Sequence, residues 1–136
     1  MQITYPSERI DLTTKENRCH AAQLVTNLFD RWGLDNNTCL NLLGMNESSR
    51  SVLLGYKDGT RPLPSSRDTF DRVGFLLAIH KSLRLLYPRN ENQRYSWISS
   101  RNAVFDNLTP LDVMKESGII GIARVSRYLD YYSGLK

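Results

Sequence analysis

The chain reads as an all-α protein, with a helix-turn-helix half joined by one long helix to a smaller helical half. Three observations predict this. Apolar residues recur at three and four positions from Lys15 to Trp32 and again from Ser66 to Tyr87, the period of a helix face. Cap-type residues (Thr14, Asp35, Ser66, Thr109) stand directly before such runs, where they can accept from free backbone N–H groups. The period-two alternation of a half-buried strand is absent.

Residues 1–14 are polar, include Pro6, and read as a flexible N-terminal arm. The first helix places Ala21, Leu24, Val25, Leu28, Phe29 and Trp32 on one face and stops at Gly33. A short helix from Asn36 to Leu43 follows, capped by Asp35, with Cys39, Leu40 and Leu43 toward the core. Gly44 suits the positive φ of a tight turn. Met45 plugs the angle between helices, and Asn46 caps a third helix carrying Ser48, Ser49 and Ser51. A short helix, a Gly turn and a polar-started helix make a helix-turn-helix signature over residues 15–62. The loop Lys57-Asp58-Gly59-Thr60-Arg61-Pro62-Leu63-Pro64 is the one obvious internal boundary.

Beyond it, Ser66 caps a helix that Pro88 stops. Phe70, Val73, Leu76, Leu77, Leu83, Leu86 and Tyr87 form a broad apolar face, and Phe75, Ile79 and Leu85 are apolar as well. A helix greasy on several sides belongs between neighbours, tying the halves together. Asp68 and Arg72 stand four apart, acid first. Gly74, Ala78 and Ser82 form a small-residue stripe that suits a close helix crossing, either internal or between two copies. A short helix then carries Trp97 and Ile98. Asn102 caps a turn with Val104 and Phe105, and Asp106-Asn107 tolerate left-handed geometry. Thr109-Pro110-Leu111-Asp112 starts a helix ending near Gly118. A last helix from Ile119 to Tyr132 buries Ile122, Val125, Leu129 and Tyr132. Trp97, Phe105, Leu111 and Met114 are expected in the core.

With 136 residues, 40% of them hydrophobic and 24% charged, the chain can bury a core of its own. No apolar run approaches the roughly 18–20 residues of a membrane span, and the N-terminus lacks the layout of a secretory signal. A cytoplasmic protein without a membrane partner is expected. Cys19 and Cys39 are too few and too far apart for zinc, and read as small buried hydrophobes. His20 and His80 have no catalytic neighbours in sequence, and no nucleophile elbow or phosphate loop is present. The reading is a binding protein rather than an enzyme, with no cofactor.

The net charge is +4 and its whole excess lies after Pro62. In the third helix, Ser48, Ser49, Arg50 and Ser51 would enter the major groove, Arg50 donating to a guanine edge or a phosphate. Lys57 and Arg61 would meet phosphates. The bland alternative is a capped surface helix. At the other end, Arg124, Arg127, Tyr128 and Tyr131 crowd the last helix before the tail Ser133, Gly134, Leu135 and Lys136. Arg and Tyr are the types that anchor interfaces. Tyr131 has the less reason to be buried.

Residues 66–136 resemble the toxin-binding domain of the Xre/MbcA/ParS family of type II antitoxins. The resemblance rests on Asp71-Arg72-Val73, on Ile79-His80-Lys81-Ser82-Leu83-Arg84-Leu85-Leu86-Tyr87-Pro88, and on Trp97, Asn102 and Phe105. It continues through Thr109-Pro110-Leu111-Asp112-Val113-Met114, Gly118, Val125-Ser126-Arg127-Tyr128-Leu129 and Gly134. Residues 16–62 are similar to the family's Xre-like helix-turn-helix. Family members often carry Gly after the Phe, where this chain has Asp106-Asn107. The resemblance implies an antitoxin for a RES-domain toxin that degrades NAD, or for a related ADP-ribosylating toxin, blocked at its cleft by the C-terminal helix and tail. It also implies autorepression through operator DNA, as a homodimer or within a toxin–antitoxin complex. The alternative is a stand-alone helix-turn-helix regulator that uses its C-terminal domain to dimerise.

Overall fold

The computed structural model describes the backbone of residues 2–5 and 8–134 and the side chains of residues 11–134. Met1, Pro6, Ser7, Leu135 and Lys136 lie outside the described residues. Among the described residues the fold is all-α in its body, with six helices: α1 Lys15–Arg31, α2 Asn36–Leu43, α3 Val52–Asp58, α4 Arg67–Leu86, α5 Glu91–Ser96 and α6 Pro110–Gly134. Single turns of tighter 3-10 helix occupy Glu47–Ser49, Trp97–Ser99 and Ala103–Phe105.

The caps form as their residue types require. Thr14 accepts from the Asn17 N–H at 3.2 Å, Asp35 from Thr38 at 2.8 Å and Thr109 from Asp112 at 3.0 Å. Ser66 and Asn102 do the same for Thr69 and Val104. Gly44 takes φ 74° at the end of α2, and Asp106 and Asn107 both take positive φ.

Two expectations are corrected. The N-terminal residues form an antiparallel ribbon, β1 Gln2–Tyr5 with β2 Glu8–Asp11, and β1 lies along α4. Two short strands are marginal on their own, but the chain behind them is tied down. Leu12 is fully buried. The Asn17 side chain donates to the Asp11 carbonyl at 2.7 Å, and the Arg18 guanidinium donates to the carbonyls of Leu12, Thr13 and Leu63. The third helix is also shorter than expected. Asn46 caps only the turn Glu47–Ser49, and α3 starts at Val52. Asn46 Oδ1 accepts from both the N–H and the hydroxyl of Ser48 at 2.8 Å. That local bonding competes with helix propagation.

Helix α4 is the spine. It packs most extensively on α6 and also meets α1, α2 and α5. Val73, Leu76, Ile79 and Leu83 are fully buried, and Leu77 nearly so, whereas Leu85 is exposed. Ser82 is buried and its hydroxyl lies 3.5 Å from that of Ser133. The small-residue stripe therefore serves, at Ser82, an internal crossing with α6. Helix α6 is broken at Gly118, whose φ of 59° and ψ of −140° are not helical and are open to little but glycine. Just beyond the break, a Cβ on Gly121 would collide with the Val113 carbonyl.

Rings hold the C-terminal half together. Trp97 stacks on Tyr128 with centroids 6.2 Å apart, and Phe105 meets Tyr128 edge-on at 5.4 Å. Phe105 and Met114 are fully buried and Trp97 is nearly so. Tyr132 is a further correction. It packs on Tyr128 at 4.7 Å but stays 45% exposed, while its neighbour Ser133 is the residue that faces α4 there.

Candidate functional site

Two surfaces at opposite ends of the chain collect the side chains singled out above. On the helix-turn-helix half, Ser48, Arg50 and Ser51 are exposed and Ser49 is half-buried. Ser48 and Ser49 sit on the turn before α3, while Arg50 and Ser51 lead into α3 itself. Lys57 pairs with Asp30 of α1, Nζ to Oδ1 3.0 Å. Arg61 is exposed, and its backbone N–H donates to the Gly55 carbonyl at 3.2 Å. Lys15, which the sequence reading did not assign to DNA, joins them. With Arg18, Ser49, Tyr56, Arg61 and Ser65 it lines a groove of about 630 Å³ beside α3. Only the pairing of α1 with α3 brings Lys15 there; its place as the first residue after a helix cap was the one local signal.

Two perturbed groups in this half belong to the fold. The Thr38 N–H at α2 holds the Asp35 carboxyl below its ordinary range. Burial pushes the Cys39 thiol up to about 11, so Cys39 stays a neutral, apolar side chain. Cys19 is half-buried.

At the other end, Ile120, Arg124, Arg127 and Tyr131 follow one another at four, three and four positions. That spacing puts them on one stripe of α6. Ile122, Val125, Ser126 and Leu129 lie on the opposite, buried face. Ile120 is 76% exposed and Tyr131 63%. The sequence reading missed Ile120 because it lay next to an expected helix start rather than inside an interface pattern. Exposed Val104 stands beside the stripe, since its carbonyl accepts from Arg124 Nη2 at 3.3 Å. The Arg124 guanidinium also covers the Phe105 ring, 5.0 Å from its centroid. Arg124 is therefore partly engaged by the fold.

Tyr128 is half-buried among Trp97, Phe105 and Tyr132. Burial first, then the Tyr132 hydroxyl, raises its phenol. It supports the surface more than it presents one. Tyr131 meets Tyr132 edge-on at 5.8 Å. Ser133 donates to the Asp130 carbonyl at 3.1 Å, Gly134 is exposed, and Leu135 and Lys136 lie outside the described residues. The arrangement holds two arginines between two exposed apolar side chains on a rigid helix. Such a set can bind a protein face with an apolar pocket and carboxylates. Among the described residues no helix is long and apolar enough to cross a membrane.

Comparison with known proteins matches the C-terminal part of the chain. Residues 82–134 match the family described as the antitoxin Xre/MbcA/ParS C-terminal toxin-binding domain, a span that contains α5, α6 and the whole stripe. A relative named Uncharacterized protein y4oB, from Sinorhizobium fredii (strain NBRC 101917 / NGR234), is 35% identical over 105 residues, covering 77% of this chain and 78% of the relative. The chain belongs to the Xre/MbcA/ParS antitoxin family, and its role is that of a toxin-binding antitoxin.

Proposed function

We propose that this antitoxin neutralises a RES-domain, NAD-degrading toxin by laying the C-terminal segment of α6 and the tail into its cleft. The observation that carries the reading is the stripe Ile120–Arg124–Arg127–Tyr131 on a face of α6 that no other helix covers. Tyr131 supplies a large, stiff ring at the end of that stripe, and Arg127 a planar cation one turn before it. Neither has to perform chemistry. A side chain occupying the cleft excludes NAD by volume.

The same reading gives the helix-turn-helix half a second task, repression of its own operon, with a homodimer meeting two half-sites. Exposed Arg50 and Ser51 lead α3 into the groove. Lys15 and Arg61 flank it toward phosphate, and Lys57 joins them by exchanging Asp30 for the backbone.

The test is growth rescue by co-expression with the toxin encoded beside it, alongside a gel shift on the same variants. Replacing Tyr131 and Arg127 with Ala, or deleting Ser133 to Lys136, should abolish rescue and leave operator binding intact. Full rescue by both variants would place neutralisation elsewhere, on the basic surface around Arg84 and Arg94, since Lys81, which the sequence places beside them, is buried. Arg50→Ala should weaken operator binding by about 1–3 kcal/mol and relax one base position. The absence of a neighbouring toxin gene, with operator binding intact, would favour a stand-alone regulator.

A further inference from the structure

The outward stripe of α6 has two ends of different character. At its start, Ile120 is the most exposed large apolar side chain among the described residues. Arg124 lies one turn later on the same face, and exposed Val104 stands beside it on the Ala103–Phe105 turn. That turn is fixed. Asn102 caps it, Asp106 closes it with a φ of 57°, and buried Phe105 meets Trp97 edge-on at 6.5 Å. Val104 therefore sits on a rigid shelf alongside the helix.

Arg124 is held in place by that shelf. Its Nη2 donates to the Val104 carbonyl at 3.3 Å and its guanidinium lies over the Phe105 ring. A guanidinium has five N–H donors, so most of the fork is left for a partner. A carboxylate can be gripped there by two parallel bonds. The side chain is already ordered by the fold, so it has less rotamer freedom to lose on binding. An apolar pair beside a pre-set cation suits a protein surface that offers an apolar side chain next to a carboxylate.

The patch lies within residues 82–134, the span matched to a toxin-binding domain, and runs on through Arg127 to Tyr131. Tyr131 stands eleven residues beyond Ile120, about 16 Å along a helix axis. A toxin whose cleft receives Tyr131 and the tail thus meets Ile120, Arg124 and Val104 well to the side of that cleft, on its rim. We infer that Val104, Ile120 and Arg124 anchor the toxin's outer surface and supply affinity, whereas Tyr131 and the tail supply inhibition. The inference rests on the proposed function for the identity of the partner, and it makes binding and silencing separable.

The experiment uses full-length antitoxin and the toxin encoded beside it. Calorimetry gives the Kd, and NAD consumption is followed with antitoxin in saturating excess. Val104→Ser with Ile120→Ser changes two side chains open to solvent. It should raise Kd about tenfold or more and still silence the toxin in excess. Arg124→Gln should raise Kd and flatten its dependence on salt. Tyr131→Ala with Ser133 to Lys136 deleted should change Kd by less than about threefold, yet leave the saturated toxin consuming NAD. A wild-type Kd in the Val104→Ser, Ile120→Ser chain would overturn the anchor. A tail variant that loses as much affinity as the anchor variant would overturn it too, since gripping and plugging would then be one surface. Unchanged salt dependence in Arg124→Gln would remove the carboxylate from the partner. A shift in the oligomeric state of the free antitoxin, with toxin Kd kept, would assign the patch to a second copy of this chain and overturn the inference. All of these leave the proposed function standing. A wild type that does not bind and silence the toxin would sink the proposed function and the anchor with it.

Discussion

Helices α1 to α3 bury aliphatic and aromatic side chains, Val25, Phe29, Leu40, Leu43 and Leu53 among them. Helix α6 and the turns before it close around a chain of rings that runs from buried Phe105 through half-buried Tyr128 to exposed Tyr131. In the first half the core and the outward-facing side chains are separate, since Ser48, Arg50 and Ser51 sit on a turn with no buried residue in it. In the second half the core leads directly into the surface. Damage to the ring cluster should therefore reach the proposed toxin surface, whereas damage to the aliphatic core should cost stability without reshaping the turn proposed to face DNA.

Trp97→Ala gives this contrast its hardest test. The ring is 8% exposed and stacked on Tyr128, so its loss should cost about 3–5 kcal/mol in urea unfolding and also weaken toxin binding. A variant that unfolds like wild type would move the ring from the core to the interface.

The next effect belongs to the N-terminal half and appears in alkali. The Cys39 thiol is raised from an ordinary 9.0 to about 11 by burial. Below pH 9 it is neutral in both states and its stabilisation is complete. Above that the unfolded chain ionises first, so stability falls by about 2–3 kcal/mol as pH rises from about 9 to 11. Cys39→Ala should flatten that window. The loss that persists reports Tyr56 and Tyr128, whose phenols burial also raises. Unchanged alkaline unfolding in Cys39→Ala would refute the assignment.

Capping comes next. Thr109→Ala should cost about 0.5–2 kcal/mol, read as a lower melting temperature with both ligand affinities kept. At Asp35 the sign runs the other way with pH. Its folded carboxyl is depressed, so its stabilisation is present above the ordinary value of 3.8 and is lost as pH falls through the depressed one. Asp35→Asn should blunt acid unfolding. The smallest effect is expected where the halves touch at the surface. Arg31 and Glu91 pair at 2.8 Å but are 59% and 65% exposed. Glu91→Gln should change stability by less than about 1 kcal/mol, and salt should shrink even that.

Local chemistry made most of the fold legible. Thr14, Asp35, Ser66, Asn102 and Thr109 cap because a short side-chain oxygen beside free N–H groups has few better partners. What stayed hidden depended on distant chain. The ribbon of β1 and β2 needs α4 beside it and Leu12 buried behind it, and neither leaves a mark within residues 1–14. Tyr132 falls three residues after Leu129 and so reads as buried, but periodicity cannot tell that Ser133 is the residue facing α4 there. In the candidate sites, Arg127 and Tyr131 could be read as outward from helix phase alone. The pairing of Lys57 with Asp30 and the bonds of Arg72 to the carbonyls of Asn41 and Leu42 could not. They are made by packing α1 on α3, and α2 on α4.

The broken helix α6 carries a consequence for the order in which the protein is made. Helix α4 leaves the ribosome before its principal cover does. Helix α2, which packs chiefly on α6, and Leu76, Ile79 and Leu83 of α4 all wait for that last helix. That helix also bears Arg127 and Tyr131. A chain stopped short of it would lack its toxin-facing end and would also expose an apolar spine to proteases and to other chains. A copy too short to carry the proposed toxin surface would thereby also be too short to persist.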